Sequence, residues 1–226
     1  MKNHMKIFTV LLLFAISSFY AHQNCYANEV LNINVSTFDF PPMFYKTPSG
    51  KLSGNIGETI NEILKTANIE YNLSIFPVAR SYMNADRGKF DILITAHHDR
   101  FLKSSTASSW GHPWTAGIFS KLPLSEIPNN EQELIGKEII IINDWQSPYK
   151  IYKHLDSLIA SKKITVLRPN SINSAIRMFD IGRAPLLWGS DNFYWNFNLL
   201  GIDYQSLNYK PLVTTPIVLW VAKKIT

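Results

Sequence analysis

One nine-residue pattern occurs twice in the chain, and it restricts the available folds more than any other feature. Asp86-Arg87-Gly88-Lys89-Phe90-Asp91-Ile92-Leu93-Ile94 parallels Asp180-Ile181-Gly182-Arg183-Ala184-Pro185-Leu186-Leu187-Trp188. Each copy reads as a helix end, a glycine, a base nearby and then an apolar strand, and the two glycines stand 94 residues apart. Glycine suits the left-handed residue that closes a helix, because it has no Cβ to clash. Each preceding helix also carries a methionine, Met83 and Met178. Convergence on a common helix-to-strand turn would give the same short repeat. Both halves, however, show strand–helix–strand order before it. That order predicts two α/β lobes, each built around a mostly parallel sheet flanked by helices.

The periodicity of the rest agrees. Leu31, Ile33 and Val35 alternate with polar residues, as in a half-buried strand. Ile56, Ile60, Ile63, Leu64 and Ala67 recur at helical spacing and predict a helix over 57–68. Tyr71, Leu73 and Ile75 alternate again, 80–87 reads as a short helix, and 90–95 is a buried strand. In the second half, 138–142 is an isoleucine strand. Ser147-Pro148 opens a helix expected to reach Ser161, with Ser as cap and Pro in the first turn. Strands over 164–167 and 184–188 alternate with helices over 171–179 and 192–200.

The first 27 residues are set apart by composition. Lys2 and Lys6 precede an apolar run from Ile7 to Ile16, which is too short to span a bilayer. A basic start, a short apolar core and then small or polar residues describe a secretory signal peptide. Cys25-Tyr26-Ala27 places cleavage after Ala27. Lipid attachment at Cys25 is the competing reading, but His22-Gln23-Asn24 is not the small apolar approach such a signal uses. Cleavage leaves 199 residues, takes the net charge from +5 to +3 and removes the only cysteine. An exported chain without thiols depends on its hydrophobic core, for which this length suffices. Lys and Arg are scattered rather than clustered, so no nucleic-acid interface is expected despite the basic balance.

Four stretches, in order, resemble the bacterial extracellular solute-binding proteins of family 3. They are Phe40-Pro41-Pro42-Met43-Phe44 with Gly50-Lys51-Leu52-Ser53-Gly54; Pro77-Val78-Ala79-Arg80 through Gly88-Lys89-Phe90-Asp91; Leu134-Ile135-Gly136-Lys137; and Ala175 through Gly182-Arg183. The resemblance implies an α/β, two-lobed periplasmic-binding-protein-like clamp. Lobe one would comprise 28–116, lobe two 117–200, and 201–226 would return to lobe one. It implies capture of a small polar or amino-acid-like ligand, an ABC-type permease as partner, a monomeric state and no cofactor. The family's final helix has no counterpart before Thr226.

The resemblance also nominates site residues. Phe40 falls where the family stacks an aromatic on its ligand, beside Phe44 and Tyr45. Thr95 and His98 follow the buried strand at its C-terminal end, where α/β sheets place ligands. Arg100 is the candidate carboxylate anchor, because a guanidinium binds carboxylates bidentately. A gap-free comparison instead puts Lys103 at the family position. Arg80 sits in a Pro-x-x-Arg turn similar to a family variant. Trp145 and Gln146 follow the isoleucine strand. The family's amine-binding aspartate matches Ser190, with Asp191 adjacent, and one residue's slip along a strand reverses the face.

His97-His98 with His112 makes a poor metal site, since adjacent strand residues point to opposite faces. The nucleophile elbow, phosphate loop and His-Glu-x-x-His motif are all missing from the sequence. An enzyme on the same fold, of the cyclohexadienyl dehydratase kind, would have to use His98, Asp99 or Asp191. A ligand-sensing module is the remaining alternative.

Overall fold

The computed structural model describes residues 31–223. The leader, Cys25 and the cleavage site after Ala27 lie outside the described residues. No helix among those described is long and apolar enough to cross a membrane.

The first half builds a parallel sheet. Strand β1 (Leu31–Thr37) lies between β4 (Ile69–Ile75) and β5 (Ile92–Ala96), parallel to both. A two-strand hairpin, β2 (Tyr45–Lys46) and β3 (Leu52–Ser53), precedes helix α1 (Asn55–Thr66). Ile56, Ile60 and Leu64 come round one face of α1 every four residues and are buried. Gly54 before this helix has φ 98°, and a Cβ there would meet the carbonyl oxygens of Pro42 and Met43 at 2.6 Å. Helix α2 (Val78–Asp86) leads into β5, whose Ile92, Leu93, Ile94 and Thr95 are all buried. A strand covered on both faces needs such a run.

Two long strands then join the halves. Strand β6 (Ser105–Ser120) and strand β10 (Asn208–Ala222) run antiparallel, from Asn208 opposite Ser120 to Ala222 opposite Ser105. At one end β10 pairs with β5 of the first lobe. At the other, β6 from Ala116 to Ser120 pairs with β9 (Leu186–Ser190) of the second. Between these ends Pro113 faces Pro216. Proline has no N–H to give to a ladder, so the ribbon is thinned there. Sequence periodicity missed most of β6, whose exposed residues alternate with no apolar set.

The second lobe repeats the parallel pattern. Strand β7 (Glu138–Ile140) lies between β8 (Thr165–Leu167) and β9, after a short helix α3 (Glu131–Leu134). Helix α4 (Leu155–Ala160) precedes β8, α5 (Ile172–Asp180) precedes β9 and α6 (Phe193–Leu199) follows it. The whole forms one curled eight-stranded sheet in the order β4-β1-β5-β10-β6-β9-β7-β8.

One expected helix is corrected. Ser147 to Ser161 is not continuous: Ser147–Lys150 is a 3-10 turn and α4 starts only at Leu155. The intervening chain turns to bury Tyr152, whose hydroxyl donates to the Pro128 carbonyl at 3.2 Å. The His154 N–H bonds the Glu131 carboxylate rather than a helical carbonyl. Tertiary contacts outweigh the helical start signal.

The repeated glycines do close matching turns. Gly88 and Gly182 have φ 64° and 75°. Gly88 N–H donates to Ala85 O at 2.9 Å and Lys89 N–H to Asn84 O at 3.0 Å. Gly182 N–H donates to Phe179 O at 3.0 Å and Arg183 N–H to Met178 O at 2.9 Å. Both are the paired-bond cap that ends a helix on a left-handed residue.

Candidate functional site

A small cavity of about 30 Å³ lies where the two lobes meet. That volume admits water but no solute of amino-acid size, so a ligand enters only if the lobes part. The first lobe supplies Phe38, Phe40 and Phe44 from the chain after β1, Tyr82 from α2, and Thr95, His97 and His98 from the end of β5. The second supplies Trp145, Gln146, Ser147 and Lys150 from the loop and 3-10 turn after the isoleucine strand. The joining strands add Trp114 and Thr215.

The walls are aromatic. The Phe40 ring stands edge-on to Trp114 at 6.0 Å and to Trp145 at 6.1 Å, and these two indoles meet each other at 6.1 Å. Trp145 thus presses a second-lobe ring on a first-lobe one, a geometry that adds to simple area burial.

Polar groups sit in this apolar frame. Tyr82 and Thr95 hydroxyls are 2.7 Å apart. Burial pushes the Tyr82 phenol up to about 12, so it stays protonated. His98 is held down to about 4, first by burial and then by the Arg100, Lys150 and His97 charges, so the imidazole is neutral near pH 7. Its Nδ1 accepts the Arg100 backbone N–H at 3.3 Å, which assigns the ring proton to Nε2. His98 Nε2, Trp114 Nε1 and Trp145 Nε1 are buried without a hydrogen-bond partner.

The structure brings five of the sequence-nominated residues to the cavity: Phe40, Thr95, His98, Trp145 and Gln146. The other five lie elsewhere. Arg100, expected as an anion anchor, donates from Nε and Nη2 to Asp86 Oδ2 at 3.1 and 2.8 Å, and from Nη1 to Asp144 Oδ2 at 2.8 Å. Burial opposes its charge, but the bonds to Asp86 and Asp144 outweigh it and raise its pKa. Asp86 ends α2 of the first lobe and Asp144 follows β7 of the second, so Arg100 clips the lobes together. Lys103 and Arg80 are exposed and outside the lining. Ser190 is buried and donates to Asn192 Oδ1 at 2.7 Å, while Asp191 is exposed. Ser190 is the last residue of β9, which is buried throughout, and Asp191 lies beyond the strand in an exposed turn.

Sequence reasoning missed Trp114, Tyr82, Asp144 and Lys150. Lys150 Nζ donates to Thr215 Oγ1 at 3.0 Å, and Thr215 Oγ1 donates to His97 O at 3.1 Å. The sequence carried no signal for Lys150, because its residues predict a helix from Ser147 onward and the 3-10 turn is seen only in the structure. His112 is exposed and does not line the cavity with His97 and His98. Among the described residues no group of three or more His, Cys, Asp or Glu side chains is placed to hold a metal ion.

No family model matches the chain, and no curated protein matches it either. Solved structures do. The holo form of ArgBP from T. maritima superposes with a TM-score of 0.65 at 16% identity, over 86% of this chain and 84% of that one. A protein assigned as an L-cystine ABC transporter from Listeria monocytogenes gives 0.68 at 17% identity, over 87% and 85%. A histidine kinase sensor domain with similarity to periplasmic binding proteins gives 0.67 at 14% identity, over 85% and 82%. Likeness at this identity speaks for the fold, and the fold is the two-lobed α/β clamp of the periplasmic binding proteins.

Proposed function

We propose that the chain is an exported solute receptor. It captures a small polar or amino-acid-like molecule between its lobes and delivers it to an ABC-type membrane permease. It works as a monomer in the periplasm after cleavage behind Ala27, with the lobes dividing near residues 116 and 200, and catalyses no reaction. One observation carries the reading: a cavity at the lobe interface is lined by the first lobe, the second lobe and the strand between them, and one lining residue from each carries a buried polar atom without a partner. Buried polar groups without partners are costly unless something binds them. Neighbours in fold bind arginine or glutamine, which accords with this reading. Isothermal titration against amino acids and small organic acids tests it, and silence across that panel overturns it. The sensor-domain neighbour supports a second reading, in which closure signals to a membrane partner instead. A permease and ATPase encoded beside the chain favour uptake, and a kinase encoded there favours sensing. Turnover of prephenate or arogenate by the folded protein would replace both with an enzyme.

A further inference from the structure

The chemistry of the cavity narrows the class of solute, given the receptor reading above. Three side chains of its lining carry a polar atom without a partner and are nine-tenths or more buried, His98 at 9% exposure, Trp114 at 6% and Trp145 at 4%. All three are donors. The indole nitrogens can only donate, and Nε2 of His98 carries the ring proton because Nδ1 already accepts from Arg100. Lys150 adds an ammonium, which among the described residues has no carboxylate within 4.0 Å. The lining holds hydroxyls and one amide but no Asp or Glu. Asp144 is bound to Arg100, Asp191 faces outward, and Asp39 borders a neighbouring cavity with Phe76 and Ser171. A zwitterionic amino acid would find donors for its carboxylate here and no acid for its ammonium.

We propose that the solute is a small organic carboxylate with a flat or apolar body and no ammonium group. Its oxygens take the ring N–H groups of His98, Trp114 and Trp145, with Lys150 as the opposing charge. The aromatic walls hold its apolar part. Both lobes contribute donors, so the same anion draws the lobes together. The neutral state of His98 keeps Nε2–H a donor while Nδ1 holds the Arg100 backbone.

Matched pairs differing only in the ammonium group test this on the purified full chain: 3-phenylpropionate against phenylalanine, 4-methylpentanoate against leucine, and glutarate against glutamate. Calorimetry should show at least one of the deaminated anions binding roughly tenfold or more tighter than its amino acid. Trp114→Phe, which keeps a ring but removes the N–H, and Lys150→Met should each weaken that anion by roughly tenfold. Circular dichroism of each variant confirms that it is folded. Amino acids binding as tightly as their anions would overturn the anion assignment while leaving the receptor reading intact. Full affinity in Lys150→Met or Trp114→Phe would overturn it as well. Binding of neither class would remove both readings together.

Discussion

The two lobes are alike in their scaffold and unlike in what they bring to the cleft. Each ends a helix on a left-handed glycine with the same pair of hydrogen bonds, then enters a buried parallel strand. Past that strand the resemblance stops. The first lobe offers Thr95 near the end of β5 and continues into His97 and His98, and on to the Arg100 clip. The second continues from β9 into α6, with Asp191 turned out, and places its cleft residues instead after β7, in Trp145 to Lys150. The repeated unit therefore sets the frame, and the non-repeated loops set the chemistry. A backbone cap constrains only φ and two carbonyls, so it can recur wherever a helix meets a strand.

The largest test of this comparison asks whether the lobes are separate folding units. Ile94 in β5 and Leu187 in β9 are fully buried. Ile94→Ala and Leu187→Ala should each cost about 2–5 kcal/mol. Because β6 and β10 carry one sheet through both lobes, each substitution should shift a single urea transition. Two separate transitions would show that the lobes fold independently.

Acid sensitivity should belong to the first lobe's side of the cleft. His98 titrates near 4 in the folded protein against an ordinary 6.5. The unfolded chain therefore takes up the proton first as pH falls. Stability should be level above about pH 6.5, fall by about 3 kcal/mol between pH 6.5 and 4, and lose no more from this residue below that. Denaturant melts of the parent and of His98→Gln across that range would check it, and an unchanged slope in the variant would place the acid-sensitive group elsewhere.

The equivalence of the two caps is open to a smaller test. A Cβ at Gly88 or Gly182 meets nothing within 4 Å, so only the positive φ penalises a side chain. Gly88→Ala and Gly182→Ala should each cost about 1–2 kcal/mol, and by similar amounts. Unequal losses in thermal melts would mean that the caps differ beyond their hydrogen bonds.

The smallest effect concerns the clip. Asp144→Asn removes the charge that the second lobe offers Arg100, whereas Asp86→Asn removes one within the first lobe. These groups are partly exposed, so each change should cost about 1 kcal/mol or less. Only Asp144→Asn should raise the open population, read as a larger radius of gyration in small-angle scattering. Equal expansion in both variants would deny Arg100 its role between lobes.

Much of the scaffold was legible in the residues. The alternation in β1, the four-residue spacing in α1 and the continuous run in β5 each follow from which side of an element meets the core. The long ribbon was legible only at its end: Ile217 to Ala222 is a continuous apolar run, but prolines and exposed polar residues leave no period to read in most of β6 and in the first half of β10. The site was half legible. Phe40, Thr95, His98, Trp145 and Gln146 lie at strand ends and turns that topology aims at the cleft. Arg100 has the right chemistry and place in sequence, yet two acids from distant segments take its guanidinium.

By itself the sequence determined two α/β halves, their order, their buried strands and their glycine-closed helices, because these depend on residues within one turn or one strand. Only the tertiary structure decided which groups are left without partners. Whether a donor is free depends on every acceptor the fold brings near it. Asp86 and Asp144 reach Arg100 across 14 and 44 residues of sequence, while nothing reaches the N–H groups of His98, Trp114 and Trp145.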